Sequence, residues 1–190
     1  MLAKGENTKG RILEAASELF TDRSFSTVTM KDVCEATGLS RGGLYRYFSS
    51  TGEMMMQLME QEQLRADRMA GNIPMSSRGA SELLEEFLTT HESYLTSRRA
   101  KLEIAMNQFA LTSEIGREAN NRRLTSAVKR LASVIRKGQR EGVFRPGDPE
   151  TTAYHVLIFL GGMRTQVCLG EYGGDFVSGQ IQFIREYIYK

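Results

Sequence analysis

The chain has 190 residues, of which 41% are hydrophobic and 25% are charged, and its formal net charge at pH 7 is +2. These proportions are ordinary for a soluble globular protein, so they exclude a disordered or fibrous chain. No apolar stretch approaches the roughly 18 residues of a membrane helix, and no apolar signal segment occurs at the N-terminus, so we expect a cytoplasmic protein without a membrane partner.

The spacing of apolar residues predicts an all-α protein. Only three prolines occur, and they lie between long segments of helical periodicity, as helix breakers should. No segment shows the sustained alternation of a β-strand. We predict nine helices, at about residues 9–22, 30–37, 41–48, 51–69, 82–96, 100–111, 113–140, 149–169 and 176–189.

Capping residues set several of these boundaries. A serine, threonine or aspartate can accept a hydrogen bond from the backbone at the start of a helix, and a glycine after the last turn can adopt the left-handed conformation that ends one. The predicted terminating glycine of the second helix is Gly38, and the predicted N-caps are Thr8, Thr29, Ser40, Ser50 and Asp148. The second and third helices are therefore separated by a tight turn.

The third helix has the composition of a DNA-recognition helix. Arg41 begins it, and Gly42 and Gly43 follow directly. In a helix-turn-helix the N-terminal end of the second helix enters the major groove, where arginine can bond to guanine O6 and N7. Each glycine costs about 1 kcal/mol against alanine inside a helix, which favours a helix whose backbone approaches nucleic acid closely.

The charge pattern around this helix agrees with that interpretation. No acidic residue occurs between positions 35 and 53, whereas Arg41 and Arg46 lie there with Tyr45 and Tyr47 interleaved. For Arg41 and Tyr45 taken alone, a solvated surface is the other interpretation.

The same segment resembles the N-terminal domain of TetR-like transcriptional regulators. The stretches AASELF, FSTVTMKDVCEATGLSRGGLYRYF and SSTGEM match that family's pattern nearly continuously from about Arg11 to Met54. The resemblance implies a DNA-binding domain at residues 1–52 and a helical ligand-binding and dimerisation domain at residues 53–190. It implies a homodimeric repressor that binds a palindromic double-stranded operator and is released by an unknown small-molecule effector.

The resemblance also implies which residues contact DNA. Thr29 and Tyr45 are placed to bind phosphates, and Arg41 lies where the family meets bases or the adjoining backbone. The family often has a lysine at the start of the fourth helix, where this chain has Thr51, so its attraction to phosphate is expected to be weaker. The full predicted set is Thr29, Lys31, Ser40, Arg41, Gly42, Gly43, Tyr45, Arg46, Tyr47 and Thr51.

The last two helices are predicted to form the dimer interface. The eighth is apolar around much of its circumference and has Gly161 and Gly162 at its middle, so it must be covered on several sides. The ninth has an apolar face too large for a free C-terminal helix. An intramolecular core without a dimer is the alternative.

Arg164 lies in the otherwise apolar eighth helix, where a charge must be paired, reach water or face a ligand. A salt bridge is one account, and an effector chamber is the other. The residues predicted to line such a chamber are Phe87, His91, Tyr94, Met106, Gln108, Tyr154, Leu157 and Arg164.

Catalysis and cofactor binding find no support in the motifs. The sequence has no nucleophile elbow, phosphate loop, HExxH motif or clustered acid pair, so an enzyme is not expected. Cys34 and Cys168 form no metal-binding pattern, and His91 and His155 have no partner at ligand spacing, so neither a metal nor a cofactor is expected. The alternative function is a ligand-independent dimeric DNA-binding protein or activator.

Overall fold

A computed structural model describes the backbone of residues 2–71, 78–170 and 172–190, and the side chains of residues 7–68, 78–170 and 172–190. No strand occurs in these ranges, and the all-α class is confirmed. Their nine helices are α1 (Leu2–Arg23), α2 (Met30–Thr37), α3 (Arg41–Tyr45), α4 (Thr51–Gly71), α5 (Ala80–Leu95), α6 (Arg99–Thr112), α7 (Glu114–Arg140), α8 (Pro149–Leu169) and α9 (Gly174–Ile188).

Two of the predicted boundaries are wrong. Thr8 does not cap α1, because the helix begins at Leu2 and already includes it. No proline precedes Thr8, so the helix can extend beyond it towards the N-terminus. The helix α3 ends at Tyr45 instead of Phe48. The amides of Tyr47 and Phe48 both donate to the Leu44 carbonyl, at 2.9 and 3.1 Å, so the chain turns before Phe48 reaches the core.

Side-chain caps at the starts of α4 and α8 are confirmed. Asp148 accepts a hydrogen bond from the Thr151 amide at 2.6 Å, and Pro149 follows it in the first turn of α8, where a missing N–H costs nothing. Ser50 accepts from the Glu53 amide at 3.1 Å. Both helices therefore begin where local side-chain chemistry dictates.

The chain divides into two compact units. The first consists of residues 1–67 and 101–121, and the second of residues 68–100 and 122–190. This division follows packing, and most of α6 with the start of α7 therefore belongs to the first unit. The functional boundary between residues 52 and 53 concerns DNA binding and stays a prediction.

The first unit has an apolar core to which α1, α2, α3, α4 and α6 contribute. Four of its methionines are packed inside it, which agrees with the use of this flexible side chain to fill irregular spaces. The fully or almost fully buried residues include Ile12, Ala16, Phe20, Val33, Leu44, Phe48, Met54, Met55, Met59 and Met106.

The second unit is built on α5, α8 and α9, which pack against one another. Its core includes Leu84 and Leu88 of α5 and a buried face of α9 at Val177, Ile181, Ile184 and Ile188. A helix buries such a face when apolar residues recur every three or four positions. No helix in the described ranges has the length and apolar character needed to cross a membrane.

Candidate nucleic-acid interface

The helix α2 begins at a reciprocal capping box. The Asp32 amide donates to the Thr29 hydroxyl oxygen at 3.3 Å, and the Thr29 amide donates to the Asp32 carboxylate at 2.8 Å. Arg23, the last residue of α1, donates to the same carboxylate at 3.0 Å. One carboxylate thus fixes the start of α2 and ties it to the end of α1.

These contacts lower the pKa of Asp32 below its ordinary value of 3.8. The hydrogen bonds from the Thr29 hydroxyl and from the Thr29 amide are the main causes, and the Arg23 guanidinium adds to them. All of them favour the charged carboxylate. The cap is therefore present in full at neutral pH.

The turn between α2 and α3 has the geometry that the sequence predicts. Gly38 adopts the left-handed conformation with φ of 70° and ends α2. Ser40 then accepts a hydrogen bond from the Gly43 amide at 3.2 Å and begins α3. Leu44 on the inner side of α3 is completely buried, which anchors this short helix to the core of the first unit.

The outer side of α3 is exposed from its first residue to the residue after its end. The side chains of Arg41, Tyr45 and Arg46 are exposed, and the Arg41 guanidinium carbon lies 5.5 Å from the centre of the Tyr45 ring. A β-carbon at Gly42 would meet no atom within 4 Å, whereas one at Gly43 would lie 3.2 Å from the Ser40 hydroxyl. Gly42 therefore leaves open surface behind Arg41, and Gly43 leaves room for the Ser40 cap.

The remaining residues of the predicted DNA-binding set lie on both sides of α3 in the sequence. Thr29 and Ser40 are exposed helix caps, and Lys31 is exposed with its ammonium 3.7 Å from the Glu35 carboxylate. Tyr47 and Thr51 are half-buried, and Tyr47 packs against the core. Tyr47 therefore has a packing role whatever else it does.

The acid nearest to α3 on its C-terminal side is engaged in a helix cap. The Glu53 carboxylate accepts hydrogen bonds from the Ser49 amide at 2.7 Å and from the Ser49 hydroxyl at 2.8 Å. These two bonds lower the pKa of Glu53 below its ordinary value of 4.5. The Glu53 carboxylate thus bonds to Ser49, one residue before Ser50, which caps α4.

In the second unit, part of the predicted effector set lies along one face of α5. Phe87, His91 and Tyr94 are spaced three or four residues apart, which places them on one side of the helix. The Phe87 and His91 rings lie 4.1 Å apart, and His91 Nδ1 lies 2.8 Å from the Phe87 carbonyl oxygen. The ring of His91 is therefore held by its own helix.

A second stripe, on α8, meets this face at one end. Leu157, Gly161 and Arg164 have the same spacing, and the Arg164 guanidinium carbon lies 5.8 Å from the centre of the Tyr94 ring. The Nε atom of Arg164 is buried. A β-carbon at Gly161 would meet no atom within 4 Å, so open space adjoins α8 one turn before Arg164.

Three other members of the predicted effector set are placed elsewhere. Tyr154 is 48% exposed, one helical turn before the exposed Ile158. Met106 is fully buried in the core of the first unit, and the side-chain oxygen of Gln108 accepts a hydrogen bond from the Phe25 amide at 3.1 Å within that unit. The structure thus brings together two pairs of the predicted set, Phe87 with His91 on α5, and Tyr94 of α5 with Arg164 of α8.

Sequence reasoning missed the segment between α1 and α2. Residues Phe25–Thr27 form a 3-10 turn, and the Phe25 ring packs against the rings of Phe20 and Phe109. The only sequence signal is a second phenylalanine soon after Phe20, which does not reveal a partner more than eighty residues away. This turn leads directly into the capping box of α2.

Comparison with known proteins agrees with this geometry. Residues 12–58 match the family of bacterial regulatory proteins called the tetR family. The HTH-type transcriptional regulator YfiR of Bacillus subtilis (strain 168) is 33% identical over 150 residues, which cover 77% of this chain and 73% of YfiR.

Two solved structures share the fold over nearly the whole chain. A transcriptional regulator from Saccharomonospora viridis in complex with choline has a TM-score of 0.85 at 21% identity and covers 97% of this chain and 99% of its own. NalD, the secondary repressor of the MexAB-OprM multidrug efflux pump in Pseudomonas aeruginosa, has a TM-score of 0.77 at 19% identity, with 99% and 98% covered.

The capping box predicts a specific pH dependence. Because the folded-state pKa of Asp32 is lowered, its charge stabilises the native state above the unfolded-state pKa, and this contribution is lost as the pH falls through the folded value. Asp32→Asn keeps the shape and removes the charge. The loss in free energy of unfolding caused by Asp32→Asn should be largest near pH 7 and should shrink below about pH 4. Urea denaturation at several pH values measures it, and an equal loss at all pH values would contradict the proposed cause.

Proposed function

This chain belongs to the TetR family of bacterial regulatory proteins, and from that premise we propose that it is a repressor that binds a palindromic operator as a homodimer and is released by a small molecule. Its DNA-binding transcriptional function follows from the family. The observation that carries the proposal is the exposed N-terminal end of α3, with Arg41 in front of the open surface at Gly42. An end of this kind fits the major groove.

The proposed contacts divide into those that read bases and those that hold phosphates. Arg41 reads guanine, because its forked guanidinium can bond to O6 and N7 together. Phosphates are held by Thr29, Tyr45 and Thr51. These bonds set the position of the DNA-binding helices on the duplex and do not depend on the base sequence. Lys31, Ser40, Gly42, Gly43, Arg46 and Tyr47 complete the proposed interface.

The proposed dimer is supported by apolar faces of α8 and α9 that their own unit does not cover. The helix α9 buries one apolar face in the core and exposes another, and α8 exposes a second stripe. Monomeric proteins seldom leave such a surface open to water. Its exposed residues are Tyr154, Ile158, Leu169, Phe176, Phe183 and Tyr187.

The exposed apolar surface of α8 and α9 includes a groove between the two helices. It has a volume of about 220 Å³ and is lined by His155, Val156, Phe159, Phe183, Ile184 and Tyr187. His155 Nδ1 lies 3.3 Å from the Tyr187 hydroxyl at one edge. In a two-fold dimer each copy presents both the groove and the exposed apolar residues beside it, so a second copy of this chain is the occupant that matches both.

The proposed effector site lies between α5 and α8. It combines the aromatic rings of Phe87 and Tyr94, the imidazole of His91 and the Arg164 guanidinium with open space beside Gly161. Few polar groups in an otherwise apolar site are typical of small-molecule pockets. We propose an anionic or carbonyl-bearing effector whose polar end bonds to Arg164 and whose apolar body lies against Phe87 and Leu157.

Release from DNA requires that the effector bind one conformation better than the other. A ligand with equal affinity for both conformations shifts nothing, however tightly it binds. The choline complex of the regulator from Saccharomonospora viridis and the repressor role of NalD support, by analogy of fold, a ligand-responsive repressor.

Arg41 and Tyr45 should respond differently to substitution. Arg41→Ala should cost about 1–3 kcal/mol of affinity for the preferred duplex and relax its base preference, because one guanine contact is lost. Tyr45→Phe should weaken binding to preferred and unrelated duplexes alike, because a phosphate bond is independent of sequence. Fluorescence anisotropy with both duplexes tests the pair. Equal loss on both duplexes with Arg41→Ala, or no loss with Tyr45→Phe, would remove that residue from its proposed role.

The neighbouring glycines of α8 provide a matched pair for the dimer. Gly162 is exposed and lies one turn after Ile158, whereas Gly161 lies on the stripe with Arg164. Gly162→Leu should overpack the interface and shift the protein towards monomers, while Gly161→Leu should leave the dimer intact and fill the effector site. Sedimentation velocity measures both. A stable dimer with Gly162→Leu would argue against this interface.

Arg164→Met should keep the fold and DNA binding and abolish release by the effector. The probe is a compound, chosen from aromatic carboxylates and amides, that raises the melting temperature of the unmodified protein. Arg185→Met is the control, because Arg185 pairs with Glu85 at 2.9 Å in the same unit and lies outside the proposed site. If Arg164→Met responds to the compound as the unmodified protein does, Arg164 serves packing alone.

A further inference from the structure

The backbone is strained at the end of α1. Ser24 has φ of 75° and ψ of 156°, and it is the one residue other than glycine with positive φ in the part of the chain that the structure describes. Such a conformation costs on the order of 1–3 kcal/mol for a residue with a side chain. It persists only where surrounding contacts hold it.

The contact that follows Ser24 comes from a distant helix. The Phe25 amide donates a hydrogen bond to the side-chain oxygen of Gln108 at 3.1 Å, across 83 residues of sequence. Gln108 belongs to α6 but lies in the same compact unit as α1, α2 and α3. The Gln108 side-chain oxygen therefore accepts a hydrogen bond from the Phe25 N–H. This N–H has no partner within a helix, because the chain turns directly before it.

Aromatic packing holds the same residue from two sides. The Phe25 ring centre lies 5.6 Å from that of Phe20 in α1 and 4.8 Å from that of Phe109, which follows Gln108. Gly116 leaves room for Phe109, because a β-carbon there would lie 2.7 Å from the ring. Neighbouring residues of α6 thus hold both the backbone and the side chain of Phe25.

The strained Ser24–Phe25 joint is followed directly by the DNA-binding helices. Val28 donates to the Phe25 carbonyl at 3.4 Å, and the next residue, Thr29, caps α2. The place where α2 begins therefore depends on the joint at Ser24, and α3 follows α2 through the fixed turn at Gly38.

We propose that Gln108 is a positioning residue for DNA binding: its side chain holds the Ser24–Phe25 joint in the strained conformation that places α2 and α3 for the operator. This inference rests on the proposed function. Without this hydrogen bond the Ser24–Phe25 joint relaxes in the folded protein. A smaller fraction of molecules then has α2 and α3 in the position that binds the operator. Apparent affinity falls by the same fraction.

The test uses the full chain and a duplex that the unmodified protein selects from a random library. Gln108→Met keeps the length of the side chain and removes the acceptor, whereas Gln108→Glu keeps an acceptor oxygen. We expect Gln108→Met to bind the duplex roughly tenfold more weakly at 25 °C with its helix content unchanged, and Gln108→Glu to recover most of the affinity.

A second pair of variants changes Ser24, which lies within the joint itself. Glycine has no penalty at positive φ, and a β-branched residue has a larger one than serine. Ser24→Gly should therefore restore affinity in the Gln108→Met background, and Ser24→Val should weaken binding with Gln108 intact. Ser24→Val, which keeps Gln108, leaves the proposal testable if Gln108→Met does not fold: unchanged duplex affinity of Ser24→Val would then overturn it.

The control is Gln139→Met in the second unit. The Gln139 side chain donates to the carbonyls of Arg145 and Gly147, both at 3.0 Å, so its loss removes comparable bonds away from the joint. Its duplex affinity should stay within about twofold of the unmodified protein, well below the effect of one lost hydrogen bond at the head. Equal affinity of Gln108→Met and the unmodified protein overturns the positioning role alone. Failure of the unmodified protein to select any duplex overturns the proposed operator binding and this role with it.

Discussion

The carboxylate of Asp32 is the point on which the DNA-binding helices depend. A helix of eight residues such as α2 is too short to be stable by itself, because its first turn costs more conformational entropy than its hydrogen bonds return. Asp32 closes the capping box with Thr29 and accepts a bond from Arg23, so it joins the start of α2 to the end of α1. Buried Val33 then holds the helix on the core. Local capping and packing together make a rigid head from short helices.

One apolar face of α9 serves the fold, and the other is available to the proposed dimer. The face at Val177, Ile181 and Ile184 is completely or almost completely buried within its own unit, and it stabilises the fold whether or not a second copy binds. The face at Phe183 and Tyr187 is exposed, and it contributes hydrophobic stabilisation only when another surface buries it. A protein with this arrangement can fold as a unit first and assemble afterwards, since the two faces do not compete for the same residues.

The features that the sequence predicts well are those decided by neighbouring residues. The cap at Thr29, the left-handed Gly38 and the start of α8 at Pro149 each require only residues within four positions, and all three are confirmed. The early end of α3 and the strained Ser24 depend on how a segment meets the core or a distant helix. Gln108 shows the limit most clearly. Its residue type suits a ligand chamber and a backbone bond equally well, and only its place in the first unit reveals the second role.

The charge of the first unit bears on how it recognises DNA. Acidic residues outnumber basic ones in residues 1–67 and 101–121, which is unusual for a surface that relies on attraction to phosphate. Two of those acids, Asp32 and Glu53, are engaged in helix caps, while Arg41 of α3 and Arg46 directly after it are exposed. Where few cations contact phosphates, few counterions are displaced, and binding to arbitrary sequences is weak. DNA-binding helices of this kind discriminate between sequences as much through weak binding to arbitrary DNA as through base contacts.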